Sequence, residues 1–347
     1  MSEELDERKK KILQAIVEEY IDSAEPVSSG YLLNKCDKLN CSSATIRNEM
    51  AELERIGYLE KPHTSAGRIP SQKGYRYYVD ELLREDELTL QEMMMIKQKL
   101  EMKVNSLEDL AKIATSTLSE ITHYTTIVVG PNVNNHSIVD IKFVLLGSRV
   151  LMALILTDSG IIRESIIKFD EDISQEQIED LTYIFNSKLV GKELNSINSP
   201  IEEFITQEMR ASINLIKKVI EEINKLFEES NLYIEGANNV VDMPEFKRVD
   251  VTKDFLNVLN EKELVSDILN SDISKGINVY IGEESEREEL KNFSIITFNH
   301  LLEGKDLGTI GIIGPTRMDY SKVISVMKYI SKKINDDYKK DKDKNKK

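Results

Sequence analysis

Apolar residues recur at helical spacing through the first quarter of the chain. Residues 5–22 form one amphipathic pattern, whose apolar side consists of Ile12, Leu13, Ile16, Val17, Tyr20 and Ile21. A shorter helix is predicted to begin at Ser28 or Ser29. A third follows a tight turn at residues 38–41. Three short helices, the last preceded by such a turn, are typical of a helix-turn-helix unit.

The third helix combines a buried stripe with a polar face. Ser42 and Ser43 can cap its start, and Gly57 suits its end. The apolar stripe contains Ile46, Met50, Leu53 and Ile56. The opposite face contains Ala44, Arg47, Asn48, Ala51 and Arg55. Small and polar side chains of these kinds fit a major groove and bond to base edges or phosphates.

A basic hairpin is predicted after this helix. Residues 58–61 favour a strand, 62–67 a turn and 68–70 a returning strand. No acidic residue occurs from Lys61 to Val79, whereas Lys61, Arg68, Lys73 and Arg76 are basic. This local excess of positive charge suits phosphate contact. Small helical units with a hairpin also mediate protein contacts, so a protein-interaction module is the competing interpretation.

The remaining pattern predicts a charged connector at 81–87 and a long amphipathic helix at 88–121. That helix either packs on its own domain or joins a dimer interface. Four β-rich runs (125–129, 138–146, 150–156 and 161–169) predict an antiparallel meander. Helical patterns at 175–188, 201–227 and 252–270 precede strands at 277–281, 294–298 and 308–313 and a final helix at 320–334. Strands on both sides of a helical middle predict a sheet domain with an inserted helical segment.

Composition modifies this picture through the distribution of charge. The 347-residue chain has a net charge of −15. Residues 1–80 have a net charge of −2, the last 16 residues +4, and the segment between them −17. The acidic body would repel DNA and direct it towards the hairpin and third helix, so affinity should depend on dimer geometry. The absence of a long apolar segment or an apolar N-terminus predicts a cytoplasmic protein without membrane contact.

Residues for catalysis or metal binding do not form a recognisable pattern. Cys36 and Cys41 are predicted to be free thiols, since no further cysteine and only one nearby histidine accompany them. The four histidines lie far apart in sequence. Gly308, Gly311 and Gly314 lack the spacing of a phosphate-binding loop. We therefore expect no enzyme activity, no metal and no cofactor.

Two sequence blocks resemble the HrcA family of heat-inducible transcription repressors. The first consists of SATIRNEMAELE (43–54), GYLEKPHTSAGRIPS (57–71) and GYRYYVD (74–80). The second is residues 280–320, which end in GPTRMDY. The resemblance spans the whole chain and is weaker between these blocks. Residues 236–240, Gly-Ala-Asn-Asn-Val, are similar to a short family element but end in Val.

The resemblance implies an α+β multidomain protein with an N-terminal winged helix-turn-helix and a GAF-like antiparallel sheet domain carrying an inserted helical dimerising domain. We place the DNA-binding domain at 1–85 and a linker helix at 86–122. The GAF-like domain is expected at 123–169 with 240–335, and the dimerising insert at 170–239. Residues 336–347 are expected to be a disordered Lys/Asp tail.

The implied function is repression of chaperone operons by a homodimer that binds an inverted-repeat operator in double-stranded DNA, with activity dependent on the chaperonin. The candidate DNA-binding residues are Ser43, Thr45, Arg47, Asn48, Arg55, His63, Thr64, Ser65, Arg68, Lys73 and Arg76. We assign Arg47 and Asn48 to base edges, Ser43 and Thr45 to phosphate or a thymine methyl, and Arg55 to the DNA backbone. The hairpin residues are assigned to phosphate or the minor groove, with Lys73 and Arg76 as backbone anchors. The alternative is a winged-helix repressor that senses a small ligand through its GAF-like domain.

Overall fold

A computed structural model of the chain describes residues 5–35, 42–62, 67–101, 107–129, 137–158, 162–193, 213–228, 232–270, 276–285, 287–302 and 305–345. The N-terminal unit contains α1 (Glu7–Ser23), α2 (Ser29–Lys35), α3 (Ser43–Arg55), β1 (Leu59–Glu60), β2 (Ile69–Pro70) and α4 (Gln72–Tyr77), which continues into a π-helical turn (Tyr78–Leu82). The described elements thus include the three predicted helices and the two short strands. Strands β1 and β2 pair antiparallel, and Val27 bridges to Arg68 beside them.

The rest of the chain alternates helices and strands. In order it contains α5 (Leu90–Leu100), α6 (Leu107–Thr122), β3 (Thr125–Val129), β4 (Ile138–Gly147), β5 (Val150–Thr157), β6 (Ile162–Lys168), α7 (Gln175–Leu189), α8 (Ile213–Glu228), β7 (Leu232–Glu235), α9 (Val249–Asn260), α10 (Lys262–Asn270), β8 (Ile277–Ile281), β9 (Phe293–Leu302), β10 (Lys305–Pro315) and α11 (Tyr320–Asn345). Short 3₁₀ turns span Asn239–Asp242, Pro244–Lys247, Gly282–Ser285 and Glu288–Leu290. The fold class is α+β with antiparallel sheets, as the sequence predicts.

The predicted helix at 88–121 is divided into α5 and α6, and residues 102–106 between them lie outside the described residues. Thr89 and Glu92 begin α5 with a reciprocal capping box. Ile96 on α5 and Leu118 on α6 are buried in a core that also includes α1, α3 and α11. Both helices therefore pack within their own chain. Participation in a dimer interface remains an open prediction.

A five-stranded antiparallel sheet forms the centre of the C-terminal half. Its strand order is β7-β3-β10-β9-β8. One face is buried against α6, α11 and the N-terminal unit, and the other is buried under α9 and α10. Gly311 on β10 allows close packing, because an added Cβ would lie 2.2 Å from the Leu269 side chain.

The meander β4–β6 differs from the predicted arrangement. These strands form a separate three-stranded sheet, whereas the sequence pattern predicts that they share a sheet domain with the C-terminal strands. The inner face of that sheet is buried against α7 and α8, with Phe143 and Phe185 in edge-to-face contact at 5.2 Å. The boundary expected at 169/170 would therefore divide this buried cluster, and the limits of the insert stay a prediction. The discrepancy arises because strand alternation identifies a buried face and leaves its covering element unspecified.

The C-terminal helix differs as well. The backbone of α11 is helical to Asn345, through most of the segment expected to be a disordered tail. Lys and Asp residues recur at three- and four-residue spacing in this segment, which is compatible with a helix, whereas composition takes no account of spacing. Among the described residues, no helix has the length and apolarity needed to cross a bilayer.

Candidate nucleic-acid interface

Helix α3 is held at its start by Ser42, as the sequence predicts. The Ser42 hydroxyl accepts a hydrogen bond of 3.2 Å from the main-chain N–H of Thr45, and the two side-chain oxygens are 3.0 Å apart. This cap satisfies a main-chain donor that the first turn leaves free. Ser43 and Thr45 remain half-exposed beside it. Both hydroxyls therefore lie at the positive end of the helix dipole, which favours phosphate oxygens.

The two sides of α3 separate as predicted. Ile46, Met50 and Leu53 are buried against α1 and α2. Arg47 and Asn48 are exposed on the opposite side, next to the small Ala44 and Ala51. These four residues lie within about one-third of the helix circumference at 100° per residue. Nothing in the described part of the chain covers this face, so it is free to enter a groove of duplex DNA.

Three carboxylates flank the exposed face of α3, and each is paired with a cation. Glu49 contacts Lys9 of α1 at 3.2 Å, Glu52 contacts Arg55 at 2.7 Å and Glu54 contacts Arg68 at 2.7 Å. The Arg55 guanidinium lowers the pKa of the Glu52 carboxyl. Pairing reduces the repulsion that unpaired carboxylates would exert on phosphates. The three glutamates are not among the candidate residues predicted from sequence, although their spacing beside Arg47 and Arg55 is visible there.

The predicted hairpin residues divide into two groups. His63, Thr64 and Ser65, at the turn, lie outside the described residues. Arg68 lies at the base of the hairpin, with 18% of its side chain exposed and its guanidinium held by Glu54. The Nε atom of Arg68 is buried without a hydrogen-bond partner. Arg68 thus joins β2 to α3 and does not extend towards solvent.

Lys73 and Arg76 also contact protein groups. The Lys73 ammonium donates to the main-chain oxygen of Ile56 at 2.9 Å, although its side chain is exposed. The Arg76 guanidinium contacts Glu284, the Val279 oxygen at 2.6 Å and Asp80 at 3.1 Å. These contacts raise the pKa of Arg76 above its usual value, with the Glu284 hydrogen bond as the largest cause. Neither residue presents a free cation beside Arg47 and Asn48.

In the described part of the chain, no three His, Cys, Asp or Glu side chains cluster so as to hold a metal ion. Cys36 and Cys41 lie outside that part, so their prediction as free thiols stays a prediction.

Comparisons with known proteins identify relatives over almost the whole chain. A family model described as the HrcA protein C-terminal domain matches residues 108–324. Heat-inducible transcription repressors HrcA from Ruminiclostridium cellulolyticum and Acetivibrio thermocellus are both 41% identical to the chain. The first alignment covers 95% of this chain and 97% of the relative, and the second covers 95% of each.

A solved structure supports the fold independently. The crystal structure of a hypothetical protein at 2.2 Å resolution matches with a TM-score of 0.66 and 24% identity, covering 96% of this chain and 98% of that chain. The family model covers more than half of the chain, and both relatives exceed 30% identity over at least 95% of their length. The chain therefore belongs to the HrcA family of heat-inducible transcription repressors, which are not enzymes.

Proposed function

We propose that the protein represses transcription by binding an inverted-repeat operator as a homodimer, with its N-terminal unit acting as a winged helix-turn-helix. The observation that carries this proposal is the exposed face of α3. Arg47 and Asn48 are exposed there among small residues, while the adjacent carboxylates are paired. Arg matches guanine and Asn matches adenine through paired hydrogen bonds in the major groove.

The remaining candidate residues receive more limited roles. Ser43 and Thr45 would bond phosphate at the start of α3, and Arg55 would reach the DNA backbone by exchanging Glu52 for phosphate. His63, Thr64 and Ser65 remain proposed contacts to phosphate or the minor groove. The protein contacts of Arg68, Lys73 and Arg76 support a different role from the anchoring predicted by sequence. We propose that these three residues hold the reading unit in shape.

Homodimerisation is supported by the outer face of the three-stranded sheet. Its inner face is covered by helices, and its outer face also carries apolar side chains between charged ones. Val144, Ile162 and Ile166 are 39%, 63% and 59% exposed, and Met152 and Leu154 lie between them. Outward faces of antiparallel sheets are usually polar. A contiguous apolar surface of this kind is typical of an interaction site.

Charge complementarity on this outer face favours a second copy of the chain. Lys142 on β4, Leu154 on β5 and Glu164 on β6 lie opposite one another in a row across the sheet. A two-fold axis parallel to the strands, between two facing sheets, would exchange β4 with β6. Each Lys142 would then face the Glu164 position of the other copy. We therefore propose a face-to-face dimer in which apolar rows pack and these two charge pairs set the orientation.

The proposal extends to the cellular setting implied by the family. The protein would act in the cytoplasm on chaperone operons, and the chaperonin would assist its active fold. Heat would divert chaperonin to unfolded proteins and so release repression. A multidomain protein of marginal stability suits this role, since small temperature steps change its folded population. Heat treatment followed by recovery with and without chaperonin and ATP, scored by operator binding, would test it.

The five-stranded sheet with helices on both faces supports the description of a GAF-like domain. Ligand sensing would require a cavity in that domain. The cavity between this sheet and α11, lined by Leu118, Phe298 and Met327 among others, has a volume of about 10 Å³. That space holds about one water molecule. This part of the sheet therefore supports a scaffolding role. A larger pocket of about 530 Å³ lies between the edge strand β8 and α11, lined by Arg76, Tyr280 and Lys328 among others, so the small-ligand alternative stays a prediction.

Gel-shift titration at two salt concentrations tests the proposed function. The DNA would be an inverted repeat selected from a random duplex library, with a scrambled duplex for comparison. Arg47→Ala and Asn48→Ala should each cost roughly 1–3 kcal/mol of specific affinity and relax one operator position. Lys253→Ala, at an exposed site on α9, is the matched control. Unchanged operator affinity in both α3 variants would sink the assignment of α3 as the reading helix.

A further inference from the structure

The N-terminal unit is docked onto the five-stranded sheet through Arg76. Its Nε donates to Glu284 Oε1 at 2.9 Å, and its Nη2 contacts the other oxygen of that carboxylate. Nη2 also donates to the main-chain oxygen of Val279, on the edge strand β8, at 2.6 Å. Glu284 in turn accepts from the Ile281 N–H at 2.8 Å. This two-pronged geometry fixes direction as well as distance, which a lysine could not reproduce.

A second contact involves Arg317 of the GPTRMDY motif. The proposed DNA contacts assign no role to this motif. Arg317 Nη1 donates to the main-chain oxygen of Ile21, near the end of α1, at 2.5 Å. Its Nε donates to Glu245 Oε1 at 2.5 Å, and only 14% of the Arg317 side chain is exposed. Arg317 thus connects α1 to the 3₁₀ turn before α9. It satisfies one of the carbonyls that the end of a helix leaves free.

Apolar side chains fill the region between Arg76 and Arg317, so the N-terminal unit and the sheet share one continuous core. Tyr75 of α4 packs against Tyr320 at the start of α11, with ring centroids 6.0 Å apart. Both rings are buried, and they belong to one core cluster with Leu13 of α1 and Ile312 of β10. Units joined by a tether alone are expected to move relative to each other, whereas a shared apolar core restricts that motion.

From these contacts we infer that Arg76 and Arg317 are positioning residues that set the spacing of operator half-sites. The inference rests on the proposed homodimer. When each reading helix is fixed to its own body, dimerisation also fixes the distance and rotation between the two helices. One added base pair shifts a half-site by about 3.4 Å and rotates it by roughly 35°. Two reading helices that are rigidly docked on their bodies cannot adjust to the shifted half-site, whereas two loosened helices can.

Selection from a random-sequence duplex library tests this inference, because it reports half-site sequence and spacer length separately. The unaltered full-length protein should enrich one spacer and bind it at least roughly tenfold better than a spacer longer by one base pair. Arg76→Met, Glu284→Gln and Arg317→Met should enrich the same half-site with several spacers, and their preference should fall to within about threefold. A residue that only stabilises the fold would weaken all spacers equally.

Control variants separate the possible outcomes. Arg248→Met removes an exposed pair with Asp250 inside one segment and should keep the single spacer. If Arg76→Met unfolds, as judged by circular dichroism, the near-isosteric Glu284→Gln decides the role of Arg76, and Glu245→Gln does the same for Arg317 if Arg317→Met unfolds. A single spacer in every folded variant would overturn the inference while leaving the proposed function intact. Enrichment of no inverted repeat by the unaltered protein would overturn both.

Discussion

The Lys73 ammonium donates a hydrogen bond of 2.9 Å to the main-chain oxygen of Ile56, the C-cap residue of α3. The same ammonium lies 4.2 Å from the centroid of the Tyr58 ring. One cation thus satisfies a carbonyl at the negative end of the helix dipole and contacts an aromatic face. Lys73 therefore stabilises the end of the helix whose exposed face we propose reads DNA.

Replacing Lys73 distinguishes this role from the phosphate contact that the sequence predicts. Lys73→Met should lower the free energy of unfolding by about 1 kcal/mol, because the carbonyl contact and the cation–π contact are both lost. Thermal unfolding of Lys73→Met beside Lys253→Met would measure this change. Operator affinity should keep its dependence on salt. A decrease of about one in the salt slope would instead identify Lys73 as a phosphate ligand.

Arg68 should stabilise the N-terminal unit through Glu54. Their contact of 2.7 Å joins β2 to α3, and the Glu54 side chain is 35% exposed. Because solvent screens such a pair, we expect a coupling free energy of only about 0.5–1 kcal/mol. Urea unfolding of Arg68→Met, Glu54→Gln and the double variant would measure it as a double-mutant cycle. Additive effects of the two substitutions would show that the pair contributes nothing.

Asp319 should make the protein less stable as pH rises through the acidic range. Burial raises the pKa of its carboxyl, and Asp86 and Asp22 raise it further, although its hydrogen bond from the Lys322 N–H opposes them. The folded state therefore binds the proton more tightly than the unfolded state. The stability that Asp319 contributes is fully present below the ordinary aspartate pKa and is lost as pH rises through the raised value.

Asp319→Asn tests this dependence, since an asparagine oxygen can still accept from the Lys322 N–H. The variant should be more stable than the parent at pH 7, and the difference should shrink at pH values below the ordinary aspartate range. Chemical unfolding across this range, with exposed Asp180→Asn as the control, would measure it. A variant that is less stable than the parent at pH 7 would show that the ionised carboxyl is favourable there.

Local features of the sequence predicted local structure well. Ser42 and the spacing of Ile46, Met50 and Leu53 located α3, because capping and amphipathic burial depend on neighbours within one or two turns. The partners of Arg76 could not be predicted in this way. Glu284 lies 208 residues further along the chain, and a local excess of positive charge does not reveal which distant carboxylate will approach. The local positive charge thus predicted a basic surface, whereas the fold uses these cations in ion pairs.

The grouping of strands had a similar limit. The apolar run of β5 predicts a strand, but its residues are apolar on both faces, so the alternating burial of this strand is not visible in its sequence. Nothing in that pattern distinguishes a strand of the five-stranded sheet from one that packs on α7 and α8. Apolar residues such as Ile162 and Ile166 on the outer side of β6 carried more information. They indicate a face that packs against another surface, because the solvent-facing side of a strand is usually polar.

Reversing charges on the outer face of the three-stranded sheet tests the proposed dimer. Lys142→Glu would place a carboxylate opposite Glu164 twice around the two-fold axis, and Glu164→Lys would place two ammonium groups together. Each change should weaken dimerisation by at least roughly tenfold, because like charges at an interface are unfavourable. The double reversal should restore dimerisation, since it exchanges the partners and keeps the pairs. This rescue depends on the proposed axis, because an axis perpendicular to the strands would bring Lys142 against its own copy.

Sedimentation equilibrium of the single and double variants would measure the dissociation constant. Asp180→Lys is the control for Glu164→Lys, because it makes the same change in charge at an exposed site on α7, on the helical side of the unit. It should leave dimerisation unchanged. A double variant that dimerises no better than the single variants would exclude the Lys142–Glu164 arrangement. Loss of dimerisation in Asp180→Lys alone would place the interface on the helices, because only a contacting surface responds to a local change of charge at moderate salt.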